Sequence, residues 1–210
     1  MRKILILLVV TLALLTSANL WYTKGLPPAK QEEESSSGEA VIGGAFTLTN
    51  QHGGVVKEEE FRGKLMLVFF GFTHCPDICP IGTTTLSTLM EKLGDKADQL
   101  APVFITVDPA RDTPEVLKNY LANFDPRIVG LTGTKEQIKE AADAYKAYYS
   151  IAKAQTPMEE GMQHAPAGSD YMVNHSGYIY LMDRNGKYVT HFQYSAAVDE
   201  LAEALAPHLQ

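Results

Sequence analysis

The sequence predicts an α/β sandwich carried on an N-terminal membrane anchor. Two apolar runs without polar alternation, at 65–70 and 103–107, read as strands buried on both faces. Amphipathic helical spacing follows each of them, as expected where parallel strands are joined by helical crossovers. Near the end, Arg184-Asn185-Gly186-Lys187 separates two further apolar stretches and marks a hairpin through its Asn-Gly pair.

The bulk composition agrees. A chain of 210 residues, 45% apolar and 20% charged, fits one globular domain plus an appendage. The formal net charge of -7 gives no electrostatic reason to expect nucleic acid as a partner. Two cysteines are too few for a disulfide scaffold, so the pair points to function more than to architecture.

From the N-terminus, Arg2 and Lys3 precede an uncharged run over 4–22, about the length that crosses a bilayer. Trp21, Tyr22 and Lys24 suit an interfacial belt and a polar stop. Residues 1–23 are therefore expected to be a transmembrane anchor; a cleaved signal sequence is the competing reading, with Thr16-Ser17-Ala18 as a cleavage site. Either reading exports the domain, placing it on the periplasmic side of the cytoplasmic (inner) membrane. Pro27, Pro28 and the Glu- and Ser-rich stretch beyond them make 24–40 a flexible linker. The domain is expected to cover 41–210.

Within it, alternation over 46–49, turn chemistry over 50–54 and then Val55 and Val56 predict a small N-terminal hairpin. The buried run 65–70 follows. After the cysteines, Pro80 suits a first helical turn, and Leu86, Leu89, Met90 and Leu93 recur at helical spacing up to Gly94. Beyond the second buried strand, Thr113 caps a helix with Pro114 at its first position. A short apolar piece spans 128–131. Thr134 and Gln137 then form a capping box for a helix carrying Ile138, Ala141, Ala142 and Tyr145. Periodicity is lost over 153–170, which reads as a surface insertion. Strands are expected at 178–182 and 188–192, and an amphipathic helix through Ala197, Val198, Leu201 and Leu205 closes the chain. The order is hairpin, strand, helix, strand, helix, helix, strand, strand, helix, which is the thioredoxin-like arrangement.

Both cysteines lie in Gly71-Phe72-Thr73-His74-Cys75-Pro76-Asp77-Ile78-Cys79-Pro80, at the carboxyl end of the first buried strand. Open α/β sheets place their active sites there. A nearby helix N-terminus favours thiolates, and a proline after Cys79 is expected to push that residue out of helical geometry. Two such thiols serve a disulfide, a redox couple or a soft-metal site. A metal site needs a third ligand, for which His74, His175, Met158, Met162, His164 and Met172 are candidates. His175 stands in the loop before the strand at 178, which thioredoxin topology brings beside the cysteines. A general thiol reductase would place a proline there, and this chain has none. Two thiolates with one imidazole suit copper, Cu(I) in particular, better than zinc. The alternative for His175 is a loop histidine bonded to backbone. His74 reads as a residue positioning the cysteine loop; His52, His191 and His208 read as ordinary.

The cysteine motif, Val107-Asp108-Pro109-Ala110-Arg111-Asp112-Thr113-Pro114, Val129-Gly130-Leu131-Thr132-Gly133-Thr134 and Asn174-His175-Ser176 together resemble the Sco/SenC family from about Val41 onward. The resemblance implies a membrane-anchored, thioredoxin-fold copper protein that helps assemble the CuA centre of cytochrome c oxidase subunit II. It implies copper, as Cu(I) or Cu(II), held by Cys75, Cys79 and His175, with Asp108 near the site or else organising Arg111 and a turn. Implied partners are subunit II, other periplasmic copper carriers and thiol reductants. A departure is Asn174, where family members often carry an aspartate able to orient the histidine; a neutral amide is expected to do this less well. The 153–170 segment either hands copper on through its methionines and histidine or is a variable surface loop. Three functions follow: a copper metallochaperone, a thiol-disulfide oxidoreductase acting on the CuA-site cysteines with Cys75 and Cys79 as its redox pair, and a peroxiredoxin-type peroxidase or sensor. The cysteine loop lacks the Pro-x-x-x-Thr-x-x-Cys pattern of the third.

Overall fold

The computed structural model describes residues 41–153 and 171–209. The expected anchor and linker, and Met158, Met162 and His164, lie outside the described residues. Among the described residues no helix is long and apolar enough to cross a membrane.

The unbroken apolar run builds β3 (Leu65–Gly71), every residue of which is buried. It pairs in parallel with β4 (Leu100–Thr106), equally buried, so that Phe69 faces Phe104 and Gly71 faces Thr106. A third parallel strand, β5 (Val129–Thr132), comes from the piece expected only as apolar. The hairpin β1 (Thr47–Asn50) and β2 (Val55–Lys57) adds to β5, while β8 (Tyr178–Met182) and β9 (Tyr188–Gln193) add antiparallel to β3. The seven-stranded order is β2-β1-β5-β4-β3-β8-β9. The Asn-Gly turn works as expected: Gly186 takes a φ of +73°, and a Cβ there would meet Glu58 Oε1.

Among the described residues four α-helices cover the sheet: α1 (Ile78–Leu93), α2 (Pro114–Leu121), α3 (Lys135–Ala144) and α4 (Val198–Leu205). Phe69 and Phe70 point to opposite faces because strand side chains alternate. Phe69 meets α1 at Gly82, where a Cβ would lie only 2.6 Å from the ring. Tyr120 of α2 packs on Phe104 on that same face, and Tyr145 beyond α3 packs on Phe70 on the other. Both expected caps are present: Thr113 Oγ1 accepts from Val116 N, and Thr134 and Gln137 exchange side-chain and backbone bonds.

Two strands were not legible as strands. β6 (Tyr149–Lys153) and β7 (Tyr171–His175) pair antiparallel into a ribbon that is separate from the seven-stranded sheet. His175 therefore ends a strand and does not lie in the expected loop. Its neighbour Ser176 ties back to Tyr148 through N–H to carbonyl at 2.8 Å.

Candidate metal centre

The cysteine loop hangs from the carboxyl ends of β3 and β4, whose pairing is extended by Val107 N–H donating to Gly71 O at 2.8 Å. Helix α1 starts at Ile78, so Cys79 is helical, against the expectation drawn from Pro80. Pro80 falls in the first turn, where backbone N–H groups have no intrahelical acceptor, and its missing donor costs nothing there. That freedom outweighs the general bias of a pre-proline residue away from the helical region.

The helix start aims the Cys79 sulfur inward. It is fully buried, accepts the Phe72 N–H at 3.4 Å, and lies 3.0 Å from where a Cβ on Gly71 would stand. Glycine at 71 leaves the space that this sulfur fills. Cys75 keeps 9% of its surface open. Both thiols are free.

His175 completes the group. On β7 the burial alternates so that Tyr171, Val173 and His175 share the inner face, with Met172 and Asn174 turned outward. The His175 Nδ1 lies 3.0 Å from Ser176 O, and a carbonyl only accepts, so Nδ1 carries the hydrogen. The Nε2 lone pair then faces Cys79 Sγ at 3.2 Å. Phe72 and Phe69 hold the ring edge-on at 5.7 and 6.3 Å. Asn174, from which only a weaker orienting role than an aspartate's is expected, is on the opposite face; the Ser176 carbonyl meets the imidazole.

Among the described residues, Cys75, Cys79 and His175 form a group whose ligand atoms all lie within 4.8 Å of one another. Ligands at about 2.0–2.3 Å from one ion stand up to roughly 4.6 Å apart, so a small closure suffices for a shared metal. Two sulfurs and an imidazole nitrogen are a soft donor set.

The two thiols divide their protons unequally. Interaction with the Cys79 thiol, with backbone N–H groups adding to it, lowers the Cys75 pKa to about 4, against the cost of burial. Burial pushes Cys79 far upward, and the adjacent Cys75 sulfur adds to the effect. The metal-free pair is thus one thiolate and one thiol sharing a proton.

A carboxylate that sequence reasoning did not single out anchors the loop. Asp112 is fully buried and accepts from Thr73 N (3.0 Å), Thr73 Oγ1 (2.6 Å) and Thr106 Oγ1 (2.6 Å). Burial raises its pKa, opposed by these donors. Thr73 lies 39 residues away in sequence and Thr106 six, and no periodicity announces either. His74 Nδ1 lies 3.0 Å from Thr73 Oγ1 and 3.8 Å from Asp112, in keeping with a positioning role, and is not in the ligand group. Asp108 is not in it either. Its buried carboxylate is taken up by Arg111 Nε and by Tyr171 OH, the latter at 2.7 Å.

Fold and site together define a thioredoxin-like domain with a two-sulfur, one-imidazole centre at the carboxyl end of its parallel strands. The SCO1/SenC family model matches residues 34–210. The SCO2-like protein RP587 of Rickettsia prowazekii is 41% identical over 162 residues, 77% of this chain and 74% of the relative. Bradyrhizobium japonicum ScoI, solved with copper bound, superposes with a TM-score of 0.68 at 39% identity, over 80% of this chain and 99% of the other. BsSco, described as a member of the Sco family of cytochrome c oxidase assembly proteins with a disulfide switch, matches with a TM-score of 0.59 at 27% identity, over 80% and 94%. The chain belongs to the SCO1/SenC family.

Proposed function

We propose that this protein is a copper metallochaperone, holding one copper through Cys75, Cys79 and His175 for assembly of the CuA centre in subunit II of cytochrome c oxidase. Residues 1–23 anchor it in the cytoplasmic membrane, and the 24–40 linker lets the domain reach clients on the extracytoplasmic side. Periplasmic copper carriers and thiol reductants are then its natural suppliers. The observation that carries the reading is the approach of His175 Nε2 to Cys79 Sγ at 3.2 Å, with the nitrogen's lone pair facing the sulfur. Loading displaces one proton, from Cys79, because Cys75 is already a thiolate; neutral imidazole and thiolates are the forms that bind. The copper-bound state of the Bradyrhizobium relative supports the choice of metal. The test is titration of the reduced full chain with Cu(I) against a competing chelator. The wild type should bind about one copper and His175→Ala should bind at least about tenfold more weakly. Failure of the wild type to bind, or undiminished affinity in the variant, sinks the reading.

One observation favours a second role. Cys75, the sulfur with the lowered pKa, keeps 9% of its surface open and has a fully buried thiol behind it, the order of an attacking and a resolving cysteine. The Cys75 thiolate attacks a client disulfide and expels one client thiolate. Cys79 then attacks the mixed disulfide and expels the second, leaving Cys75–Cys79 oxidised and the client reduced by two electrons. An external dithiol restores the pair. Reduction of this kind survives His175→Ala and is lost with either cysteine, whereas copper binding needs all three residues.

A further inference from the structure

We propose that Tyr171, Asp108 and Arg111 form a latch that holds β7, and with it His175, against the cysteine loop, making them positioning residues for the metal centre. The inference rests on the copper-site reading above.

The need for such a latch follows from topology. The cysteines stand on the seven-stranded sheet, but the β6–β7 ribbon shares no ladder with it. Two strands paired only with each other are marginal in water. β7 runs on through Ser176 and Gly177 into β8 of the seven-stranded sheet, which tethers its carboxyl end. Its amino end, at Tyr171, is held by side chains.

The latch joins the start of β7 to the segment after β4. Tyr171 OH donates to Asp108 Oδ1 at 2.7 Å, and the Arg111 guanidinium lies 4.0 Å above the Tyr171 ring. Arg111 Nη1 also reaches Tyr171 O at 3.4 Å while its Nε holds the second Asp108 oxygen. Asp108 is in turn fixed by its own N–H, which donates to Thr106 Oγ1 at 2.9 Å. Thr106 bonds Asp112, and Asp112 bonds Thr73 of the cysteine loop. A continuous series of hydrogen bonds thus runs from the first residue of β7 to the loop that carries Cys75.

Tyr171 and His175 share one face at opposite ends of the strand, roughly 13 Å apart at about 3.3 Å per residue. Fixing one end restricts the swing of the other. Arg111 also stands 5.8 Å from the Phe72 ring, whose edge supports the His175 imidazole. Loosening the latch disturbs the histidine and leaves the sulfurs on their sheet, so the expected result is faster release of copper through one mobile ligand.

The test uses the full chain with Tyr171→Phe, which removes the hydroxyl and keeps the ring under Arg111, and with Arg111→Lys, which keeps the charge but not the stacked fork. Two readouts are taken. In the metal-free protein, amide exchange in β6 and β7 should accelerate about tenfold or more, with protection in β3 and β4 unchanged. In the loaded protein, Cu(I) transfer to a chelator should speed up by about 10–100-fold, the usual effect of losing a residue that orients a ligand. Unchanged exchange and release in both variants overturns the proposal, and so does loss of protection throughout the sheet, which marks the three residues as general supports of the fold. Should the wild type bind no copper, the metal reading fails while the exchange experiment still decides the latch.

Discussion

Cys75 lies in the loop that leaves β3 and Cys79 in the first turn of α1, beside β3 and β4, two strands that are buried on both faces and paired along their full lengths. His175 is presented by a five-residue strand in a side ribbon with one outward-facing row of side chains. The sulfurs move only if the sheet or the start of α1 moves. The imidazole moves if the ribbon tilts. On the proposed metallochaperone reading this inequality would be useful: the two sulfurs would stay in register as the imidazole withdraws, and soft Cu(I) tolerates low coordination.

The comparison can be broken most severely at the sheet side of the centre. Cys79→Ser replaces a buried soft donor with a hard one and should abolish copper binding in a titration while the fold survives. Retention of stoichiometric copper would show that Cys75 and His175 suffice without the Cys79 sulfur. Next in size is a contrast between cores. Leu201 is fully buried on α4, far from the ligands in the chain, and Leu201→Ala should cost about 2–5 kcal/mol, lowering the melting temperature by roughly 5–20 °C with copper affinity intact. Val173 is buried on β7, and Val173→Ala removes about 1.5 kcal/mol of burial. Its effect should appear in the ribbon, as about tenfold faster amide exchange there and weaker copper binding, with little change in melting temperature. If the two variants behave alike, the ribbon and the sheet unfold as one unit.

The smallest expected effect concerns pH. With Cys75 near 4, alkylation of the metal-free protein by iodoacetamide should change by less than about twofold between pH 5 and 8, since the thiolate is already formed. An ordinary thiol would gain about tenfold per unit over that range. The sign for stability follows: a depressed folded-state pKa means the thiolate's contribution is present above the unfolded value and lost as pH falls through about 4. A rate that climbs steeply from pH 5 to 8 would remove the shared-proton picture of the pair.

The same inequality explains what could be read from the sequence. The sheet declared itself because its strands are unbroken apolar runs and its helices carry Thr113, Thr134 and Gly94 at their ends. The cysteine pair and His175 were legible as chemistry, from donor type and from resemblance. The ribbon was not, since Tyr171–His175 buries only one face and is separated from Tyr149–Lys153 by a long interval. β5 was only half seen, because four residues containing Gly130 give too short a run; a Cβ there would strike Leu121 of α2, so the glycine reflects close packing. Cys79 is helical because Pro80 falls in a first turn, where its missing N–H costs nothing and the pre-proline bias is outweighed. Asp112 was invisible because its three donors become neighbours only after β3 and β4 pair.

The missing side chain at Gly71 bears on how the protein ages under oxidants. Thiols climb to sulfinic and sulfonic acids by adding oxygens, and each oxygen needs room and a route for peroxide. The Cys79 sulfur has no exposed surface and is closely packed against the backbone of β3, with no space for a sulfonate. Cys75 keeps some surface open and has the lower pKa, so irreversible damage falls there first, sparing the inner sulfur. Wear of the centre should therefore register as a sulfonate mass that fragment ions place on Cys75, within the peptide that carries both cysteines, while Cys79 stays recoverable by mild reductants.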